Sequence, residues 1–222
     1  MERAEAVATQ RLLKPVAWTL LSLPLAWLGF AIYQEAQLPG SALGADPGEA
    51  VLLFLGEWGM RTLLLALSVS TLRRRLGYPP LLRIRRLVGL FAFTYLSLHF
   101  LFYLGFFAEF DWRLIFEDIA ERPYITVGFA ALLMLLALAV TSTNGWQRRL
   151  RRRWRQLHRL VYPASALGLL HLWWLTKEGY GEVAAYGVWL LLLYLDRLQD
   201  AWAKRTSKAG AVPESSKARR RA

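Results

Sequence analysis

Residues 85–104, RRLVGLFAFTYLSLHFLFYL, decide how this chain is read. Two arginines open the stretch, and eighteen uncharged residues follow with one imidazole, His99, deep among them. A run of this kind matches the ~20 apolar residues that cross ~30 Å of hydrocarbon as an α-helix. Five further runs resemble it, at 15–33, 51–72, 123–142, 157–175 and 183–198. Lipid offers no partner to backbone polar groups, so all six runs are predicted as helices. The predicted fold class is an all-α membrane protein, a helical bundle of the cytochrome b type with six transmembrane helices.

The segments between the runs alternate in charge. Residues 73–86 hold six arginines and no acid, and residues 143–159 hold seven and no acid. The tails, 1–14 and 197–222, contribute eleven Lys and Arg. The other three segments are acidic. Residues 34–50 carry Glu35, Asp46 and Glu49; residues 108–122 carry five acids against Arg113 and Arg122; residues 176–182 carry Glu178 and Glu182 against Lys177. By the positive-inside rule both termini are cytoplasmic and the acidic segments face outward. The organisation expected is a cytoplasmic N-terminal tail at 1–14, a membrane domain at 15–200 and a basic, disordered cytoplasmic tail at 201–222. The net charge of +12 is then a topology signal, and nucleic acid is not an expected partner. Membrane lipid is, with the basic tail suited to anionic headgroups.

The chain has no cysteine, which excludes disulfides, thiolate metal sites, iron–sulfur clusters and covalent c-type haem. Redox chemistry would have to rest on histidine. There are three, His99, His158 and His171, each in or at the edge of an apolar run. Ionisable groups at such positions are costly and point to function, and neutral imidazole is a common haem-iron ligand. The competing explanation for any one of them is an ordinary helix–helix hydrogen bond.

Depth along the helices pairs them. His99 lies ~20 Å beyond Arg86, and His171 ~24 Å beyond Arg155, at 1.5 Å per residue. Both sit towards the outer half at similar height, so they are expected to face each other across one haem. His158 lies near the cytoplasmic edge and would serve a second, inner site. Arg85 and Arg86 stand at the matching depth. Arginine is a poor iron ligand but suits a haem propionate, so Arg85 is a candidate there. Glu57 and Arg61 are spaced for a helical ion pair, and Arg61 is a further candidate for a propionate or a quinone headgroup. The tryptophans near the predicted interfaces read as a membrane belt.

Three extended runs, 85–104, RPYITVGFAALLMLLALAVTS at 122–142 and RRWRQLHRLVYPASALGLLHLWW at 152–174, resemble the ferric-reductase-like transmembrane domain. More narrowly they resemble the haem-binding membrane subunit of the bacterial periplasmic methionine sulfoxide reductase system. The resemblance covers roughly residues 12–200. It implies b-type haem, one or two per chain, iron-bound by His99, His171 and His158, and also FMN. It implies electrons from the quinone pool or a cytosolic flavin reductase. They would pass to a separate periplasmic molybdopterin-containing catalytic subunit that repairs oxidised proteins, with this chain in the bacterial inner membrane. No nucleophile–base arrangement is legible in the chain itself. Two other readings are a stand-alone transmembrane ferric reductase, and a transporter or assembly protein with structural histidines.

Overall fold

The computed structural model describes residues 2–177 and 179–210, and among them every regular element is helical. Nine α-helices run in order: α1 (Glu2–Gln37), α2 (Pro47–Leu76), α3 (Leu82–Phe102), α4 (Trp112–Glu121), α5 (Pro123–Val140), α6 (Asn144–Leu150), α7 (Arg152–Leu157), α8 (Val161–Leu175) and α9 (Gly181–Gly210). Four stretches are long and apolar enough to cross a membrane: Leu12–Gln37, Pro47–Leu76, Pro79–Phe107 and Pro123–Val140. The fifth and sixth apolar runs fall on α8, with 15 residues, and on the first half of α9. Leu101, Leu133, Leu136, Val188, Leu191 and Leu192 all point out of the bundle. Such a surface is a liability in water and is matched to hydrocarbon. The protein is a membrane protein with several apolar helices.

Local sequence explains where α2 begins and ends. The Asp46 carboxylate accepts the Glu49 N–H at 2.8 Å, and Pro47 occupies the first turn, where its missing N–H costs nothing. Arg73, Arg74 and Arg75 lie in the last turn, where cations complement the helix dipole, and Gly77 closes the helix at φ 62°.

Around α2 the bundle closes. Its Met60, Leu63, Leu64 and Leu67 share a core with Ala92 of α3, Leu135 and Leu138 of α5, Ala164 of α8, and Tyr186, Leu190 and Leu193 of α9. A second cluster joins α1 through Leu28 to Val51 and Leu55 of α2 and to Phe91 and Tyr95 of α3. Tyr95 is fully buried, and its hydroxyl donates to the Leu21 carbonyl at 2.8 Å. From Leu12 onward, α1 otherwise presents most of its apolar side chains outward, so its place is at the rim.

The segments between the apolar runs also carry helix. Residues 108–122 contain α4, capped by Asp111 through the Arg113 N–H at 2.8 Å. The arginine-rich segment 143–159 folds as α6 and α7, followed by a 3-10 turn at His158–Leu160. Helix extends into both expected tails, from Glu2 at one end and through Gly210 at the other. Residues 211–222 and Glu178 lie outside the described residues.

Candidate functional site

Two helical hairpins supply the site. In the first, α2 and α3 pack side by side, and His99 of α3 points its ring at α2. Its Nδ1 lies 2.9 Å from the Leu52 carbonyl oxygen. In the second, α5 and α8 pack likewise, and His171 Nδ1 lies 2.7 Å from the Tyr124 carbonyl oxygen. A carbonyl only accepts, so Nδ1 carries the proton in both rings and donates. That leaves each Nε2 with a lone pair, the tautomer suited to binding a metal.

The hairpins bring the two rings together. Their centroids are 6.2 Å apart and their planes cross at 85°. Two metal–imidazole bonds of about 2 Å, plus roughly 1 Å from each ring centre to its nitrogen, span about 6 Å. The separation is therefore the one expected if both imidazoles were to hold a single metal ion. No group of three or more His, Asp or Glu gathers among the described residues, so the protein supplies only these two ligands there. A centre bringing its own equatorial ligands, as a tetrapyrrole does, matches this donor set. The residues present thus fit haem iron.

Space beside the rings is made by glycine. A Cβ at Gly56 would stand 3.1 Å from His99 Nδ1, and one at Gly128 would stand 2.7 Å from His171 Nδ1.

His158 stands apart, in the 3-10 turn between α7 and α8. Its ring stacks on Trp154 at 3.8 Å, its Nδ1 donates to the Trp154 carbonyl at 3.1 Å, and the Trp154 indole donates to the Thr141 carbonyl at 2.9 Å. The charge on Arg85 acts on His158 electrostatically. No second histidine faces His158. Pro163, which from sequence could rotate the segment between His158 and His171, sits in the first turn of α8 instead. The 3-10 turn makes the change of phase, because it winds more tightly than an α-helix.

Arg61 is already engaged. It pairs with Glu57 at 2.9 Å, as the spacing predicts, and also with Glu182 at 2.5 Å and with the Tyr186 hydroxyl at 2.6 Å. It lies over the Trp58 ring at 5.3 Å. No residue pattern around Arg61 announces the contacts to α9. They tie α2 to α9 through the Nε and Nη2 groups of Arg61.

At the same end, α3 finishes in a π-helical turn, Tyr103–Phe107. The Tyr103 hydroxyl donates to the buried carboxylate of Asp118, which also pairs with Arg122 at 3.1 Å. The Asp118 charge raises the Arg122 pKa further. This latch joins the end of α3 to α4 and to the first residues of α5, next to the Tyr124 carbonyl that holds His171. Other acids of the acidic segments are also structural. Glu35 accepts backbone N–H groups of Gly40, Ala42 and Leu43, and Asp46 and Asp111 cap helices.

Paired imidazoles from two helical hairpins define a class of helical membrane proteins able to hold a metal centre within the bundle. The sequence pattern described as "Ferric reductase like transmembrane component" matches residues 55–169, the span from α2 to the middle of α8. Similar proteins include the protein-methionine-sulfoxide reductase heme-binding subunit MsrQ of Xanthomonas campestris pv. campestris (strain 8004). It is 44% identical over 191 residues, covering 86% of this chain and 88% of that protein. The subunit of the same name from Caulobacter vibrioides is 41% identical over 199 residues, covering 89% and 90%. This chain belongs to the MsrQ family of ferric-reductase-like transmembrane proteins.

Proposed function

We propose that this chain is the haem-binding membrane subunit of a protein-methionine-sulfoxide reductase system, carrying electrons to a separate catalytic subunit. The observation that carries the reading is the pair His99 and His171, with Nδ1 of each tied to a helix carbonyl and ring centroids 6.2 Å apart. Haem iron bound there supplies a one-electron couple. His99 and His171 would hold it, and their Nδ1–H bonds to the Leu52 and Tyr124 carbonyls fix the tautomer and the ring orientation. Helices α2, α3, α5 and α8 surround the pair, and both histidines are half-buried.

The relatives named above support a methionine sulfoxide reductase partner. In this reading the chain crosses the bacterial inner membrane six times with both termini cytoplasmic, because arginine-rich and acidic segments alternate along it. The acidic ends of the hairpins then face the periplasm, where a molybdopterin-containing partner would dock and oxidised proteins would be repaired. Electrons enter from the quinone pool or a cytosolic flavin reductase, with FMN as a further cofactor. His158, with Arg85 beside it, belongs to an inner site. The test is a reduced-minus-oxidised spectrum of the detergent-purified protein with haem quantified per chain. The His99→Ala and His171→Ala variants are each expected to lose the main haem signal. Full haem in both variants would overturn the assignment.

The family match over residues 55–169 favours one second reading, direct reduction of ferric chelates without a partner. Rapid chelate reduction by the purified chain alone would select it.

A further inference from the structure

A carbonyl inside an α-helix is not normally open to donors from outside. It already accepts the N–H four residues on, and the side chain at that position flanks it. His99 nevertheless reaches the Leu52 carbonyl, and the residue four positions on is Gly56. A Cβ there would lie 3.1 Å from Nδ1 and 3.2 Å from Cε1 of the ring. His171 reaches the Tyr124 carbonyl, and the residue four positions on is Gly128. There a Cβ would lie 2.7 Å from Nδ1, 2.9 Å from Cε1 and 3.1 Å from Cγ. Histidine and carbonyl are separated by 47 residues in both hairpins. Carbonyl, glycine and imidazole thus recur at one constant offset along the chain. Neighbouring glycines do something else: Gly59 receives Leu96, Gly168 lies against Met60, and Gly89 meets nothing.

We infer that Gly56 and Gly128 are paired positioning residues, each uncovering one helix carbonyl so that an imidazole Nδ1–H can bond to it. The consequence falls on the opposite nitrogen. A ring donating through Nδ1 presents Nε2 as the ligand atom and is more basic there, which favours the oxidised metal. The inference rests on the reading of His99 and His171 as haem ligands. It adds that half of their ligand properties are set by two residues that cannot touch the iron.

Gly56→Ala, Gly128→Ala and the control Gly89→Ala are to be purified alongside the wild type, His99→Ala and His171→Ala. Haem per chain, midpoint potential and the low-spin ferric electron paramagnetic resonance spectrum are measured on each. Alanine is the better helix former, so helix propensity works against any loss. At Gly128 the ring must move, and haem retention is expected to weaken about 10–100-fold, the usual effect of losing a partner behind a metal ligand. At Gly56 a shift of a few tenths of an ångström relieves the contact. That variant should keep haem with a more positive potential and altered g values, and it carries the test if Gly128→Ala does not fold. Gly89→Ala should match the wild type. Wild-type haem, potential and spectrum in both Gly56→Ala and Gly128→Ala, with haem lost from the histidine variants, overturns the inference alone. Haem retained in both histidine variants overturns the ligand reading beneath it and the inference with it.

Discussion

The two ends of the bundle are built from different chemistry. At the acidic end, His99 and His171 meet ring to ring, each anchored to a neighbouring helix carbonyl. At the arginine-rich end there is one imidazole, His158, stacked on Trp154 with Arg85 near it. The helices at that end are held by ions. Asp196 of α9 accepts from Thr71 at 2.9 Å and pairs with Arg74 and, at 2.9 Å, with Arg75. Arg197 reaches the Leu67 carbonyl at 2.7 Å and the Tyr162 hydroxyl. One end brings two imidazole rings face to edge. The other has no such pair and joins its helices through guanidinium groups, as Arg61 also does at the acidic end; these stay charged and cannot ligate iron.

The sharpest test of this contrast compares histidines. In the double variant His99→Ala/His171→Ala, the haem signal of the ring pair should fall about 10-fold or more, as both of its proposed ligands are gone. In His158→Ala the signal from the ring pair should change less than about 2-fold, because distant sites act independently. Equal losses from the two variants would erase the distinction between the ends.

A smaller effect is expected from Asp196→Ala. It leaves Thr71 and Arg74 without their acceptor and should cost about 1–3 kcal/mol, read as a lower thermal unfolding midpoint in detergent. Haem in molecules still folded should be unchanged. Arg61→Met should destabilise by about 1–2 kcal/mol, since Glu57 and Glu182 lose the cation between them. A haem spectrum altered more than stability by Arg61→Met would return that arginine to the cofactor site. The smallest change is that of Trp154→Leu, which removes the stack on His158 and should cost about 0.5–1.5 kcal/mol. It should leave the spectrum of the ring pair in place.

Much of this was legible in the residues. Apolar runs bounded by opposite charges gave the helices, and counting residues from Arg86 and Arg155 brought His99 and His171 to one height. The Glu57–Arg61 spacing gave the ion pair. What stayed hidden depends on contacts between distant segments. Nothing around Arg61 announces Glu182 or Tyr186 across the bundle. Helix α4 was readable in principle: Trp112, Ile115, Phe116 and Ile119 follow the Asp111 cap at helical spacing, but five acids in the segment suggested a loop. The correspondence between hairpins escaped detection because few side chains repeat. What repeats is a backbone oxygen, a missing side chain and a ring, and a missing side chain leaves almost no pattern in composition.

The division of the ring pair between hairpins also bears on how the protein is made. His99 is synthesised well before Tyr124, Gly128 and His171. A nascent chain that has inserted only α2 and α3 offers one imidazole and no second face. The metal-binding gap comes into being when α8 has entered the bundle and docked with α5. If haem binds between the rings as proposed, its capture is a late event in biogenesis, and by mass action it would favour the fully assembled bundle over any chain stalled before that point.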